Sequence, residues 1–589
     1  MQQGVRKSRL AVASGFRLLG RMQKPFCHAR RLSSSFCGLL FAPILAAAAP
    51  EIGEPPVRAP FVKKEDSLCV NDWWKRPANE IIDLKVPRDQ VVCFGIYTVH
   101  QRTLKLTAQL YPLYPEETRE VRLELEKNGT WQEVARQRVN DLGWSTCFRI
   151  EAWDPAEDAK YRLCHGEKST FEGLIRKDPV TQAEIVLAAL SCNSNRDRGL
   201  RPEYIRNINH QNPDLVFFAG DQSYDHSQHT AAWLKFGLAF REIFRTRPCI
   251  TIPDDHDIGQ GNLWGEGGKI AKTSDGNDGG YFYHHEYVKM VERQQCAHLP
   301  DPYDPTPVAQ GIGVYYTRLI LGGVDFAILE DRKFKTGPLG RHPMKGPRPD
   351  HILDTTYDPR MIDTPGLQLL GERQENFLKD WGAQRDGVRM KAVLSQTGFC
   401  GGVHLHGTRD NRLHADLDSN GWPQASRNKA LRLIQDARAV HIGGDQHLTS
   451  VVRHGIGEFR DGPWSFIVPA IVNNYYGRWW WPEDEKPGKF PVPGSPLPWT
   501  GDYLDGFHNK ISMIAYANPD TRHARTEPFR KANQASPADI DREGWADGYG
   551  LIRFRKASGE VVFECWPRFT DVTAPDAKQF PGWPVTVKP

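Results

Sequence analysis

Four motifs in the chain contain residue types that bind metal ions. In chain order they are Ser191-Cys192, Gly220-Asp221-Gln222-Ser223-Tyr224, Pro253-Asp254-Asp255-His256-Asp257 and Gly444-Asp445-Gln446-His447. Carboxylates gathered with a thiolate, a phenol and an imidazole repel one another and lose hydration unless cations neutralise them. This donor mixture suits a transition metal beside harder divalent ions. The motifs therefore predict a site for two or more metal ions, and the donors alone leave iron with calcium, manganese or zinc open.

Each motif follows a short apolar run, directly or after one glycine, and this arrangement indicates how the fold brings them together. The runs are Ile185 to Leu190, Leu215 to Ala219, Cys249 to Ile252 and Ala439 to Ile442. A run without polar alternation is typical of a strand buried on both faces. Ligands of layered α/β folds gather at the carboxyl ends of such strands, and glycine allows the sharp turn that follows. We therefore expect the four strand ends to converge on one pocket.

A different pattern precedes these strands. From Val91 to about Asp178, short runs rich in β-branched and aromatic residues alternate with turn signals, which predicts a small all-β sandwich of immunoglobulin or fibronectin type. The later α/β region adds a hairpin around Gly322-Gly323 and helices over Leu367 to Trp381 and Ser426 to Asp436.

The composition pattern gives a domain division along the whole chain. We predict a signal peptide at 1–49, an N-terminal segment at 50–90, the β-sandwich at 91–178, an α/β domain at 182–570 and a C-terminal tail at 571–589. Residues 471 to about 540 are rich in Trp, Pro and Gly with weak periodicity, which favours a long insertion over the site.

The charge distribution excludes some classes of partner. Residues 1–50 contain eight Lys or Arg and no Asp or Glu. The formal charge is therefore +4 for the whole chain and −4 for the remainder. A chain of that balance carries no electrostatic signal for nucleic acid or an anionic membrane. The sequence indicates no protein partner.

The N-terminus has the features of a secretory signal. A basic region precedes the apolar stretch Leu39 to Leu45, and Ala46 to Ala49 offer small residues for cleavage. The stretch is too short to be a transmembrane helix. The pair Arg30-Arg31 is compatible with a twin-arginine signal. We expect export to the periplasm or the extracellular space, the alternative being a retained amphipathic helix.

The chain contains eleven cysteines, two of which lie in the signal region. The nine that remain are an odd number, which suggests a thiol with a role other than disulfide formation. Cys192 is the candidate because of its place at a strand end, whereas a buried apolar thiol is the alternative.

The ordered set of motifs resembles the alkaline phosphatase D (PhoD-like) family of calcineurin-type metallophosphoesterases. The resemblance spans roughly residues 90 to 570, and its supporting fragments are Asp331-Arg332, Gly371-Glu372-Arg373-Gln374 and Ser395-Gln396. It implies a layered calcineurin-like α/β sandwich preceded by the small all-β domain, with iron and calcium as the favoured metals. It also implies metal ligation by Cys192, Asp221 as the bridging carboxylate, Tyr224, Asp255, Asn262, Asp445 and His447.

The resemblance further implies a metal-dependent phosphoesterase, an alkaline phosphatase or phosphodiesterase that hydrolyses a phosphate-ester substrate with a metal-activated water. His256 is expected to protonate the leaving group, because an imidazole has a suitable pKa. Arg332 is expected to bind the substrate, with Arg478 as a second candidate.

Several alternatives stay open at this stage. Asp254 either binds metal directly or caps the turn that follows it, and Tyr224 is either a ligand or a core residue. The aromatic run from Tyr475 to Pro482 suits a lid over the substrate, a surface for sugars or lipid, or the hydrophobic anchor of a loop. The rival functions are a catalytically silent, metal-stabilised carbohydrate-binding protein and a metallohydrolase of a non-phosphate ester.

Overall fold

The computed structural model describes residues 73–341, 348, 350–404, 413–475, 478–479, 488–518 and 546–589. These residues belong to one compact unit that begins at Glu54. The predicted signal peptide lies outside the described residues. Across the described ranges, none of the helices combines the length and the apolar character that a membrane span requires.

The secondary structure is a mixture of many short strands and six α-helices in the described part of the chain. The strands are β1 Val92–His100, β2 Thr103–Leu110, β3 Glu120–Lys127, β4 Thr130–Arg138, β5 Ser145–Ile150, β6 Ala159–His165, β7 Ser169–Ile175, β8 Glu184–Asn193, β9 Leu215–Phe218, β10 Cys249–Thr251, β11 Thr317–Leu321, β12 Val324–Ile328, β13 His351–Ile352, β14 Met390–Leu394, β15 Ala415–Asp416, β16 Ala439–Gly443, β17 Thr449–His454, β18 Trp464–Ile467, β19 Ala470–Val472, β20 Gly501–Leu504, β21 Lys510–Ala517, β22 Gly548–Arg555, β23 Glu560–Pro567 and β24 Val585–Val587. The helices are α1 Pro202–Gln211, α2 His229–Phe244, α3 Asp255–Ile258, α4 His285–Cys296, α5 Gly371–Ala383 and α6 Gln424–Asp436. Short 3₁₀ helices lie at Trp73–Lys75, Arg88–Gln90, Ala309–Gly311 and Pro359–Ile362.

The first seven strands form two small antiparallel sheets, in the orders β1-β2-β5 and β4-β3-β6-β7. Their inner residues, such as Ile96, Leu106 and Leu163, share one hydrophobic cluster, as in a β-sandwich. The all-β part of the predicted fold class is confirmed. The same cluster includes Trp233 and Phe240 of α2, so the sandwich packs directly on the following α/β part.

Two larger sheets form the centre of the α/β part. One has the order β10-β9-β8-β22-β23-β24, with β19 beside β8, and the other has the order β11-β12-β14-β16-β18-β17-β21-β20. The pairs β8–β9, β9–β10, β12–β14 and β14–β16 are parallel. Parallel neighbours place their carboxyl ends at the same sheet edge, which is where the site lies.

Strand β8 shows why the molecule is layered. Alternate residues point to opposite faces of a strand. Ile185, Leu187 and Ala189 lie in the core between the two large sheets. Val186, Ala188 and Leu190 face the cluster that contains α1 and α2. On the far side, α5 and α6 pack against the outer face of the second sheet. The predicted layered α/β sandwich is confirmed, with helices outside two stacked sheets.

The C-terminal third differs from its prediction. Residues 471–540 are not simply an insertion, because β21 pairs with β17 and β20 pairs with β21 in the second sheet. The tail at 571–589 likewise contributes β24, which pairs with β23. Low hydrophobic periodicity hid β20 and β24, since these strands lie at sheet edges, and edge strands need only part of the alternation that a central strand requires.

Candidate metal site

The four motifs lie together at the carboxyl ends of β8, β9, β10 and β16. Several candidate ligands have left-handed backbone conformations that non-glycine residues seldom adopt: φ is 53° at Cys192, 59° at Asp221, 65° at Asp445 and 49° at His447. Such local strain concentrates at functional sites. The shared conformation indicates that the turns direct these side chains toward one common site.

One group of side chains contains nitrogen, sulfur and oxygen donors. Ligand atoms of Cys192, Asp221 and His447 all lie within 4.8 Å of one another. The Tyr224 hydroxyl lies 2.7 Å from Asp221 Oδ2 and 2.8 Å from His447 Nε2, so it belongs to the same group. Cys192 Sγ lies 3.8 Å from the same Asp221 oxygen. This group suits a transition-metal ion.

A second group consists of carboxylates. Ligand oxygens of Asp221, Asp254, Asp255 and Asp445 lie within 4.8 Å of one another. Asp221 is therefore a member of both groups. Its Oδ2 faces the Tyr224 and Cys192 side chains, whereas its Oδ1 is buried and accepts no hydrogen bond from any described residue. An all-oxygen group of this kind suits a hard divalent cation.

The electrostatics of the site fit bound cations. Burial, and then the charges of Asp254, Asp257 and Asp445, raise the pKa of Asp221 well above its ordinary value. Burial, reinforced by Asp221, does the same to the pKa of Asp255, whose Oδ1 also accepts no hydrogen bond from the described residues. Burial, Asp221 and Asp445 raise the pKa of the Cys192 thiol. Ionised donors in this setting require positive charge beside them.

Arg332 supplies part of that charge from beneath the site. It is buried, and its guanidinium lies 2.7 Å from Asp254, 2.7 Å from Asp418 and 3.1 Å from Asp445. Arg332 does not line the cavity described below, so the structure gives no support to its expected contact with substrate. The geometry instead makes it a clamp on the carboxylates. Asp254 occupies the N-cap position of α3, and its carboxylate is directed to Arg332.

A cavity of about 380 Å³ opens above the two groups. Its lining includes Asp221, Asp255, His256, Asn262, Asp445 and His447, together with Tyr475 of the aromatic run and with residues for which the sequence pattern predicted no role: Asp275, Asn277, Arg348, Asp350, Asp416 and Asp418. Arg478 also lines it, with its guanidinium 3.8 Å from the Tyr475 ring centroid. The Tyr475 ring is in turn 5.0 Å from that of His447. Among the described lining residues, Arg348 and Arg478 are the basic side chains.

Asn262 lies on one wall of this cavity. Its side-chain amide donates to Asp350 Oδ2 at 2.9 Å, and Asp350 also pairs with Arg348 at 2.7 Å. Asp350, His351 and Asp416 form a further buried group whose ligand atoms lie within 4.8 Å of one another. No local spacing could have revealed this group, because β13 and β15 bring together segments that are far apart in the sequence.

A chain of buried contacts holds His447 in place. Its Nδ1 is 2.9 Å from Asn473 Oδ1, which leaves Nε2 directed toward Tyr224 and the candidate ligands. The Asn473 backbone N–H donates to Asp547 at 2.8 Å. Asp257 holds the turns that carry Asp221 and Asp254. Its Oδ2 accepts hydrogen bonds from the backbone N–H groups of Asp221 at 2.8 Å and Asp254 at 3.0 Å. Partners of this kind fix the orientation of metal ligands.

The fold and the site define a layered α/β protein with a candidate centre for at least two metal ions. No family model and no curated protein matches the chain. The chain is similar to the solved structure of PhoD, with a TM-score of 0.56 and 13% sequence identity over 84% of this chain and 90% of that chain. It is also similar to purple acid phosphatase PPD1 from yellow lupin (Lupinus luteus) seeds, with a TM-score of 0.48 and 11% identity over 84% of this chain and 73% of that one. The likeness to PhoD confirms the predicted resemblance at the level of the fold.

Proposed function

We propose that the protein is an exported metal-dependent phosphoesterase that hydrolyses phosphate esters. One observation carries the proposal: Asp221 belongs both to the group with Cys192 and His447 and to the group of carboxylates. A carboxylate shared in this way would hold two cations close together, an arrangement suited to displacement at phosphorus. The PhoD-like fold supports the family resemblance on which this activity was expected.

The donors divide the metals between two positions. Cys192, Tyr224 and His447 would hold a transition metal such as iron, and Asp255 and Asp445 would hold a harder ion such as calcium, with Asp221 between them. The ions held by these residues would supply an acidified water molecule and positive charge for the phosphate oxygens. Manganese and zinc also fit the donors.

The protein's own residues bind and orient the ester. Arg348 and Arg478 are on the cavity wall, where guanidinium groups bind phosphate oxygens well. We assign them the substrate contact that was expected of Arg332. His256 lines the cavity beside Asp221 and Asp255 and protonates the departing alkoxide. Asn262 holds Asp350, and through it Arg348, in place.

Export is proposed on the sequence of the N-terminus alone. The basic region, the apolar stretch and the alanine run that follows it have the order of a secretory signal. Hydrolysis outside the cytoplasm would serve phosphate acquisition or the turnover of a cell-surface polymer or lipid headgroup.

The test uses purified protein loaded with metal and assayed with 4-nitrophenyl phosphate and bis(4-nitrophenyl) phosphate. We expect turnover of at least one ester, and we expect Asp221→Asn to lose bound metal and activity together, because the shared carboxylate is removed. Asp275→Asn is the matched control, since Asp275 lines the cavity but lies outside the ligand groups. A fully metallated protein that hydrolyses neither ester refutes the proposed function. Full metal content in Asp221→Asn refutes the bridging role.

A further inference from the structure

A second cavity, of about 450 Å³, lies apart from the metal site. It shares no lining residue with the cavity above the ligand groups. Its walls come from the 3₁₀ helix Pro359–Ile362, the start of α6, the turn after β17 and the segment that leads into β21. The basic side chains Arg360, Arg427 and Lys510 line it, against Asp363 as the acidic one. The described lining of the second cavity therefore has an excess of positive charge.

Arg427 is the most deeply buried of these basic residues, with 1% of its surface exposed. Its Nε donates to the Phe399 carbonyl oxygen at 2.9 Å, and its Nη1 donates to Asn428 Oδ1 at 2.7 Å and to the Gly455 carbonyl oxygen at 2.9 Å. The fourth contact joins Nη2 to His454 Nδ1 at 3.2 Å. Because Asn428 and Gly455 line the second cavity, the Nη1 side of the guanidinium lies at its wall.

None of these four acceptors carries a negative charge. Carbonyl and amide oxygens are neutral, and an imidazole nitrogen that accepts from a guanidinium belongs to a neutral ring. No carboxylate among the described residues lies within 4.0 Å of the Arg427 guanidinium. The charge of Asp505 acts on it from further away, and that carboxylate is already bound by the backbone N–H groups of Phe507 and Asn509. Burial lowers the pKa of Arg427, and the Asp505 charge opposes this shift.

A buried cation without a counter-charge is costly, and other buried arginines of this protein have a carboxylate partner. Arg201 lies 3.5 Å from Asp197. Arg332 lies 2.7 Å from Asp254. A guanidinium also has five N–H donors, so four acceptors leave one N–H of Arg427 without a partner among the described residues. An anion in the second cavity would satisfy both the charge and the remaining donor.

The rim of the second cavity can supply two more cationic contacts. Arg360 pairs with Asp358 at 2.7 Å, and Lys510 pairs with Glu458 at 3.2 Å. Exposed ion pairs of this kind contribute little to stability, so an anion can draw either cation toward it at small cost. The carboxylate of Asp363 is engaged by a backbone N–H of the first turn of α6.

We propose that the second cavity binds a phosphate-type oxyanion, with Arg427 as its buried anchor and Arg360 and Lys510 at its rim. The planar fork of a guanidinium suits oxyanions, and three cations favour an anion with more than one negative charge. The ligand is either free phosphate or the phosphate group of a larger molecule. The site is separate from the proposed hydrolysis and does not depend on the metal ions.

The experiment counts the phosphate bound to the metal-loaded protein by equilibrium dialysis with labelled inorganic phosphate. Because Arg427 lies in the core, the test relies on the rim double variant Arg360→Gln/Lys510→Gln. We expect this variant to bind one phosphate equivalent about tenfold more weakly at low ionic strength, because two cations are removed. Arg427→Gln, with its folding checked by circular dichroism, should abolish the same equivalent. Lys429→Gln replaces an exposed lysine of α6 outside the cavity and is the matched control.

A second set of dialysis measurements distinguishes the two sources of the oxyanion. An alkyl phosphonate replaces inorganic phosphate as the probe, since its bond from phosphorus to carbon resists hydrolysis. Tighter binding of the phosphonate assigns the site to a phosphate group on a larger molecule, and weaker binding assigns it to free phosphate.

Phosphate binding that is identical in the wild type and the rim double variant overturns the proposal. Equal weakening in Lys429→Gln and the double variant also overturns it, because the effect would then reflect only the net charge of the protein. Failure of the proposed phosphoesterase function is a separate outcome. A protein that hydrolyses neither ester, yet has a phosphate equivalent that depends on Arg360 and Lys510, retains the anion site.

Discussion

At the scale of single residues, the site depends on side chains that touch the ligands as much as on the ligands themselves. Asn473 orients His447 through Nδ1, Asp257 holds two acidic turns, and Arg332 balances the carboxylates from below. None of the three lines the cavity. Their contacts give predictions that separate metal binding from substrate binding.

Asn473→Ala should weaken metal binding by about 10- to 100-fold, the usual effect of removing a side chain that orients a metal ligand. Without the Asn473 oxygen, the His447 ring is no longer held with Nε2 toward Tyr224. Competition with a chelator of known affinity measures the change. Asn473→Asp keeps an acceptor oxygen and should retain most of the affinity; equal losses in both variants would contradict an orienting role.

The two arginines should behave differently on substitution. Arg478→Gln should raise KM by roughly 10- to 100-fold with the metals retained, because a charge-assisted contact to phosphate is lost. Arg332→Gln should instead lower the free energy of unfolding by about 3–5 kcal/mol, because buried carboxylates lose their counter-charge. Steady-state kinetics and denaturant titration measure the two effects. An Arg332→Gln protein with normal stability and a raised KM would restore the substrate role that the sequence suggested.

At the scale of elements, the turns after the strands do the positioning. Gly220 has a φ of 101°, and a Cβ placed there would be 2.5 Å from the Asp254 Cβ. A Cβ on Gly444 would be 2.0 Å from Ser191 Oγ, because the turn after β16 passes directly over the end of β8. The glycines thus let turns from both large sheets approach one another closely enough to share one set of ligands.

Gly444→Ala should therefore separate the ends of β8 and β16 and reduce the bound metal. An overpacked position of this kind costs about 1–3 kcal/mol of stability. Metal analysis and denaturant unfolding of the purified variant measure both effects. Gly261→Ala is the matched control, since Gly261 lines the same cavity and a Cβ there meets nothing within 4 Å. Normal metal content in Gly444→Ala would show that the turn tolerates a side chain.

At the scale of the whole molecule, one hydrophobic cluster joins the β-sandwich to the helical layer of the α/β part. Phe94 of β1 packs against Trp233 and Phe244 of α2, with ring centroids 5.6 and 5.4 Å apart. The predicted boundary between 91–178 and 182–570 stays a prediction, because this cluster crosses it. The eight described cysteines are all free thiols, so packing rather than disulfides holds the described layers together.

Buried histidines should make the fold sensitive to acid. Burial lowers the pKa of His298 to about 3, and His298 Nε2 is 3.0 Å from the Cys249 carbonyl oxygen. Between the ordinary pKa near 6.5 and this value, the unfolded chain binds a proton that the folded chain does not, so stability is present above pH 6.5 and falls as the pH decreases.

His298→Gln tests this expectation. Between pH 7 and pH 5, the free energy of unfolding should decrease by about 2 kcal/mol less in the variant than in the wild type. The reason is that the variant lacks the group that titrates. Urea titrations at the two pH values, run in parallel, measure the difference. An identical pH dependence in the two proteins would show that His298 is not held neutral.

The sequence by itself determined the parts of this protein that depend on neighbouring residues. The apolar runs before Cys192, Asp221 and Asp445 are strands β8, β9 and β16, which deliver these residues. The local sequence is enough to predict these strands and turns, because a buried strand needs continuous apolar residues and a sharp turn needs glycine. The candidate ligands could therefore be predicted from the residues that follow each apolar run.

Only the tertiary structure decided which other residues join them. Arg348, Asp350 and Asp416 reach the cavity from segments with no metal-binding spacing. Arg332 is buried and pairs with Asp254 and Asp418. The antiparallel partner of β8, which is β22, comes from the far end of the chain. Contacts of this kind follow from how layers pack, and packing depends on the shapes of surfaces that distant segments build together.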